Sequence, residues 1–397
     1  MSELMSGFPP DPNGQVTLDN WRKPPYARWA FQHVREIVPS ADISNDPDNV
    51  WSLPDDRIDF SSLNFASDNG QLNWEDALSA TDTDGIVILH RGRVVHESYA
   101  HGMTRATPHI IMSVSKSVLG LVIGVLVEQG RLDPASLVTD IIPEVAETAY
   151  QGATIRHLLD MRAGIGFDEN YLATSGTIIA YRKATNWNPL EAGEALPDLR
   201  SFYKLLTASD GPHEGRFHYV SPNSDLLGWI AERASGRRYA DLVSDVLWQP
   251  LGAHRPAYVT VDRLGAPRAA GGVCMTAPDL ARIGQLLADG GQRDGRQIVP
   301  ATWIDDLIAG GDREAWAIGD FMDFYRHAPI RYRGQWYVLD GDAPLLFALG
   351  VHGQNLFVDR DNQIVIAKFS SQDLPLDEER NAVTMQLVDA IRRFLTA

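Results

Sequence analysis

The sequence predicts an α/β (α+β) chain: an antiparallel sheet flanked by helices, with a mainly helical domain inserted into it. Three observations predict this. Apolar, β-rich segments lie toward both ends, at residues 85–99 and 345–369. Helical patterning with long loops fills residues 140–265. The 397 residues, 44% of them hydrophobic, can bury a large core without staples. Strands from both ends and helices from the middle give a sheet assembled from the two flanks of an insertion. The expected divisions are 1–82, an N-terminal wrap and helix on the larger body; 83–139 and 266–397, the sheet-containing α/β domain; and 140–265, the inserted helical domain.

The elements follow in order. The stretch to about Asp82 is rich in Pro, Asp and Asn, with a helix expected over Trp29–Val38. Gly85–His90 is an apolar strand, Gly92 supplies the turn, and Val94–Tyr99 returns as its hairpin partner. Met112 to Gly130 is helical, stopped by Gly130 and Pro134. Further helices are expected over Thr154–Met161, Leu199–Leu206, Ser224–Ser235 (closed by Gly236), Tyr239–Trp248 (stopped by Pro250) and Asp279–Asp289. Leu345–Val351, Asn355–Val358 and Gln363–Phe369 read as strands, with Asp361-Asn362 at a turn, before an amphipathic helix from about Glu378 to Leu395.

Composition excludes several functions. A net charge of −17 opposes binding driven by nucleic-acid phosphates or by anionic membrane surfaces. The single cysteine, Cys274, forbids an intramolecular disulfide and a thiolate metal cluster. Met1–Gly7 carries no basic run leading into an apolar one, so no secretory leader is expected and the protein is placed in the cytoplasm. The longest apolar run, Val118–Val127, is too short to span a bilayer. His96 and His101 are five apart on a strand, the wrong spacing for a helical zinc pair. No Gly-x-Gly-x-x-Gly is present, and no serine has glycine at both i−2 and i+2.

The informative pattern is Ser-x-x-Lys. Only five residues are lysine, and random placement predicts about 0.3 such matches; two occur. Ser201-Phe202-Tyr203-Lys204 lies on an ordinary amphipathic helix. Ser113-Val114-Ser115-Lys116 opens an almost wholly apolar one, behind Ile110-Ile111-Met112. There the hydroxyl meets free helix N–H groups, and Lys116 lies one turn on. A desolvated lysine loses proton affinity and can take the serine proton near neutral pH. The competing view is a helix cap with a surface lysine. Tyr219 alone among the 12 tyrosines begins a Tyr-x-Ser motif, Tyr219-Val220-Ser221-Pro222-Asn223, and could relay protons to a leaving group. In Leu349-Gly350-Val351-His352-Gly353-Gln354-Asn355, glycines interrupt an apolar strand where another backbone or a ligand approaches, as an oxyanion hole requires.

In this order and spacing the three motifs resemble the penicillin-recognising serine hydrolases: class C β-lactamases, D-alanyl-D-alanine peptidases and family VIII esterases. The likeness covers nearly the whole chain after Val16 and is strongest to the nylon-oligomer hydrolases of that superfamily. It runs through Trp21–Pro39, Met112–Ser117, Asp168-Glu169-Asn170-Tyr171, Gly271-Gly272-Val273, Asp279-Leu280-Ala281-Arg282 and His352–Asn355. It implies a β-lactamase/DD-peptidase-like fold. Ser113 would be the acyl-forming nucleophile, Lys116 its base and Tyr219 the relay. Backbone N–H groups of Ser113 and Val351 would form the oxyanion hole. Tyr171 would contact the scissile amide, and Ser221 stands where the lactamases place Asn. Arg182, Trp187, Asn223, Ala270, His352 and Asn355 complete the candidate substrate contacts. No metal or organic cofactor is implied.

The departures are informative. Ala348-Leu349-Gly350 replaces the lactamase Lys-Thr-Gly, whose lysine helps hold a substrate carboxylate. Arg182 stands where the nylon-oligomer enzymes carry an acidic residue that grips a substrate amino group, and Ala270 where they carry Asn. Ser221-Pro222-Asn223 is also Ser-x-Asn, the class A pattern, but that class's Glu-containing loop has no clear counterpart here. The expected activity is hydrolysis of a small linear amide or carboxylic ester through an acyl-serine. An acyltransferase using the same intermediate and a non-catalytic ligand sensor remain open alternatives. The expected partner is a small-molecule substrate, with no nucleic acid and no membrane; the sequence leaves a homodimer open.

Overall fold

The computed structural model describes residues 4–68 and 70–397. Its centre is a seven-stranded sheet built from β1 (Thr83–His90), β2 (Arg93–Tyr99), β3 (Ile330–Arg333), β4 (Trp336–Leu339), β5 (Leu345–Gly350), β6 (Gln354–Asp359) and β7 (Ile364–Ser370), in the order β3-β4-β5-β6-β7-β1-β2. Every neighbouring pair is antiparallel, and the N-terminal hairpin joins the C-terminal meander through β7 and β1, with Ala367 opposite Val87.

The unbroken apolar run of β1 has a simple cause: both faces of the sheet are covered. Val87 and Leu89 belong to one core, Ile86 and Ile88 to another. The first core also takes the apolar helix α1 (Val114–Glu128) and the helix α2 (Ala277–Ala288), which packs on β7 and β6. The second takes the C-terminal helix α3 (Glu378–Thr396) through Leu387, Val388 and Ile391. A strand buried on both sides shows no alternation in its sequence. Truncating a side chain such as Leu119, wholly buried in α1, would cost about 2–5 kcal/mol.

A second, four-stranded sheet joins Ser40–Ile43, Ala257–Thr260, Val273–Met275 and His109–Ile110. Its last strand delivers the chain to Met112, and a third apolar cluster, including Trp21, Phe31, Val34 and Trp187, packs on Ile110 and Met112. α1 is fastened to the β3–β4 turn: Ser117 Oγ donates to the Gln335 carbonyl (2.7 Å), and Trp336 Nε1 donates to the Ser117 carbonyl (3.0 Å).

Three expectations need correction. Trp29–Val38 is not one helix: a short helix spans Tyr26–Ala30 and a 3-10 turn spans Val34–Glu36. The His33 ring takes the Trp29 carbonyl (2.7 Å) while the His33 N–H goes to Ala30, so the i→i−4 ladder ends there. Pro250 does not stop its helix, because a π turn over Ser244–Trp248 precedes it and the chain continues through Gln249–Leu251 to Gly252 (φ 71°). The helix expected from Met112 begins at Val114; Met112 sits at φ 45°, a left-handed conformation costly for a residue with a Cβ. No helix among the described residues is long and apolar enough to cross a membrane.

Candidate active site

Ser113 occupies the N-cap position of α1 yet makes no side-chain cap bond, so its hydroxyl is free for other partners. Lys116 is 1% exposed, and its ammonium donates to Ser113 Oγ (3.0 Å) and to the Ala270 carbonyl (2.6 Å). The capping-serine, surface-lysine alternative therefore does not describe this helix start. Burial brings Lys116 from 10.5 down to about 7, against the opposing pull of Glu169.

A buried network fixes the Ala270 carbonyl that orients Lys116. Asp225, on the helix α4 (Ser221–Ser235), accepts from the Ala270 N–H (2.7 Å) and the Tyr181 hydroxyl (2.5 Å), and pairs with Arg268. Tyr219 lies just ahead of this helix, its N–H held by Asp320 (2.8 Å). Its ring centroid is 5.0 Å from Lys116 Nζ, and it shares the lining of one cavity with Ser113 and Tyr337, which favour the ionised phenol. Burial pushes the Tyr219 phenol above its ordinary value despite both, so it carries its proton at neutral pH.

Gly350 explains how Val351 reaches the nucleophile. A Cβ at Gly350 would lie 2.6 Å from the Ile111 carbonyl oxygen, so only glycine lets the end of β5 approach the backbone ahead of Ser113. The N–H groups of Ser113 and Val351 have no acceptor among the described residues, and both residues line the space where a substrate carbonyl would sit.

That space has two chambers meeting at Ser113. One, about 50 Å³, is aromatic, lined by Tyr219, Phe321, Phe324, Tyr325 and Tyr337. The other, about 640 Å³, is lined by Arg22, Arg182, Trp187 and Arg268 among others. Tyr171, within reach of Glu169, borders both.

The remaining expected contacts divide. Arg182, Trp187, Ser221 and Ala270 line the wide chamber. Ser221 gives its N–H (2.9 Å) and hydroxyl (2.6 Å) to Glu169, and Trp187 Nε1 donates to Thr260 (3.2 Å). Asn355 lines the aromatic chamber, its Oδ1 buried without a partner among the described residues. His352 lines the wide chamber, but its Nδ1 bonds the Gln372 carbonyl (2.7 Å), and burial lowers it to about 4, so it stays neutral. Asn223 is a correction: it is fully buried, accepts from Tyr150 (2.8 Å) and lies away from both chambers. Asn223 is two residues on from Ser221, about half a turn round the helix, so its side chain takes the core face rather than the cleft face.

Sequence reasoning passed over Arg22, Asp225 and Arg268 and saw Glu169 only as part of a likeness. One signal was available: Asp225 stands one turn beyond Ser221 ahead of Leu226-Leu227, and a carboxylate there needs a buried partner. Among the described residues, no group of three or more His, Cys, Asp or Glu could hold a metal ion.

Comparisons with known proteins agree with this architecture. A family profile described as Beta-lactamase matches residues 73–390. The 6-aminohexanoate-dimer hydrolase of Paenarthrobacter ureafaciens is 35% identical over 92% of this chain and 90% of its own. A solved Bacillus anthracis structure named for the same activity superposes with a TM-score of 0.87 at 27% identity, covering 98% of each chain. A hydrolase with promiscuous acyltransferase activity shares the fold at a TM-score of 0.59 and 18% identity, over 78% of this chain and 96% of its own. On the matched span and the shared fold, the chain belongs to the Beta-lactamase family and is a serine hydrolase of that fold.

Proposed function

We propose that the chain hydrolyses small linear amides or carboxylic esters through an acyl-Ser113 intermediate. The observation that carries this is the buried Lys116 amine, 3.0 Å from Ser113 Oγ and held near neutrality. In its neutral form Lys116 takes the hydroxyl proton as Oγ attacks the carbonyl carbon. The oxyanion collects the Ser113 and Val351 N–H groups. The Tyr219 phenol gives its proton to the departing oxygen or nitrogen as that bond breaks, and is reprotonated from Lys116. Water then attacks the acyl-serine, its proton returns to the Lys116–Tyr219 pair, and the carboxylic product leaves as Ser113 Oγ regains hydrogen. Amide cleavage is supported by the name of the 35%-identical relative.

The test is turnover of p-nitrophenyl esters and aminohexanoate oligomers together with mass spectrometry of the quenched enzyme. An acyl adduct on the peptide bearing Ser113 with continued turnover is expected. One equivalent of nitrophenol without turnover would instead mean a ligand sensor, and product partitioning toward added alcohols an acyltransferase. No labelling of Ser113 by a serine-directed phosphonate would reject all three.

A further inference from the structure

We propose that the wide chamber is a carboxylate subsite, formed by Arg182 and Arg22, for an acyl chain that ends in an anion: the substrates are hemi-esters or hemi-amides of dicarboxylic acids. This rests on the acyl-Ser113 reading. Arg182 is 9% exposed and lines the chamber, yet forms no ion pair among the described residues. Its Nη2 donates to the Tyr171 carbonyl (2.8 Å), which fixes the guanidinium and leaves its other N–H groups for the cavity. Arg22 is half-buried, stacked near Trp21 and Trp187 (5.4 and 5.6 Å), and likewise has no carboxylate partner there. Its Nη2 reaches the Trp187 carbonyl (3.2 Å) and Asn188, while its Nε is buried with no acceptor.

Two guanidinium groups in each other's field, neither in an ion pair, are costly unless an anion completes them. The third arginine of the chamber, Arg268, already has Asp225. Of the four acids on the lining, Asp19 is tied to Lys23 (3.2 Å), Glu169 serves Ser221 while lying in the field of Arg182, and Glu191 and Asp373 are exposed; none forms an ion pair with Arg22 or Arg182 among the described residues. Burial, then Arg182 and Arg268, bring Arg22 down to about 9, the direction expected of a cation short of counter-charge.

The two chambers also assign the ends of the substrate. Tyr219 borders only the aromatic one. A leaving group protonated by Tyr219 lies on that side, so the acyl chain runs toward the arginines. A guanidinium fork matches a carboxylate in geometry and charge.

Two measurements test this. The first compares mono-p-nitrophenyl adipate with its methyl ester, which lacks the charge. The anionic member should be preferred in kcat/KM by about 10- to 100-fold, mostly through KM, as one charge-assisted contact is worth. The preference should vanish in Arg182→Gln and return in part in Arg182→Lys. Equal efficiencies in the parent enzyme, or a preference unmoved by Arg182→Gln, would overturn the subsite. An Arg182-dependent preference for 4-(butyryloxy)benzoate instead, with the charge on the leaving side, would overturn the acyl-side placement. The second is calorimetric binding of adipate to Ser113→Ala protein, independent of turnover. Binding weakened by Arg182→Gln is expected, and no binding overturns the subsite. Binding with no acylation of Ser113 by either ester would reject the hydrolase reading and leave the subsite standing.

Discussion

Lys116 and Lys368 form a matched pair. Each is 1% exposed, each is brought by burial from 10.5 to about 7, and each donates to a serine hydroxyl, Ser113 at 3.0 Å and Ser370 at 2.5 Å. Each also has two carboxylates in its field, Glu169 and Asp225 for the first, Asp84 and Asp82 for the second. They differ in what surrounds the serine. Ser113 sits at a helix start beside unpaired N–H groups and borders both chambers. Ser370 lies in a central strand, wholly buried, and lines neither. A softened lysine beside a serine is thus not in itself a site; under the proposed mechanism, access and free N–H groups beside the serine make the difference.

The comparison breaks most sharply at the serines. Ser113→Ala should lower kcat/KM on p-nitrophenyl butyrate by about 10⁴- to 10⁶-fold. Ser370→Ala should leave turnover within about threefold while costing about 1–3 kcal/mol in urea unfolding, since Lys368 loses its acceptor. Similar losses of turnover in the two variants would erase the distinction.

The next effect is at Tyr219, which has no equivalent beside Ser370. Tyr219→Phe should cost about 10²- to 10⁴-fold in kcat. The loss should be larger for amides than for esters, because an amine departs only when protonated. Measured on an amide and ester of the same acyl group, an equal loss would argue that Tyr219 orients Lys116 rather than delivering a proton.

The two lysines also show how far a sequence can be read. Ser113 and Lys116 are three apart at the mouth of an apolar helix, so their meeting is a local fact. Lys368 and Ser370 are two apart on a strand, where same-face neighbours carry no motif. The fold class was legible because β1 and β5–β7 have apolar runs dense enough to mark a sheet covered on both faces. The β3–β4 hairpin was not, since Arg331 interrupts it. That arginine is 4% exposed, matched by Asp340 (2.7 Å) and by the Ile308 carbonyl (2.8 Å), contacts that exist only after folding. Arg22 and Arg268 were invisible for the same reason: their partners come from distant segments. Asn223 was misplaced because Tyr-x-Ser-x-Asn spacing does not say which face of the helix each residue takes.

A smaller effect separates the electrostatic surroundings of the lysines. kcat/KM should rise with pH through one ionisation near 7 as Lys116 loses its proton, because only the neutral amine can act as base. Glu169 favours the charged amine, so Glu169→Gln should move this limb to lower pH, by roughly one unit or less. Asp82→Asn, which lies in the field of Lys368 and not in that of Lys116, should leave it in place. A limb that moves with Asp82 and not with Glu169 would assign the ionisation to the wrong lysine.

The smallest effect concerns stability alone, and there the two lysines should behave alike. An unfolded lysine binds its proton at about 10.5, whereas these two bind theirs near 7 in the fold. Between those values the unfolded chain holds more protons, so stability must rise with pH, by about 1.4 kcal/mol per pH unit for each lysine. Below about pH 7 both states are protonated and the slope from these groups disappears. Lys368→Met removes one of the two contributions, so its urea-unfolding free energy should climb about half as steeply between roughly pH 7.5 and 8.5. Its turnover limb should stay where Lys116 sets it. An unchanged stability slope would mean that Lys368 is charged in the fold at neutral pH, held by Asp84 and Asp82, and the resemblance between the two sites would then end at geometry.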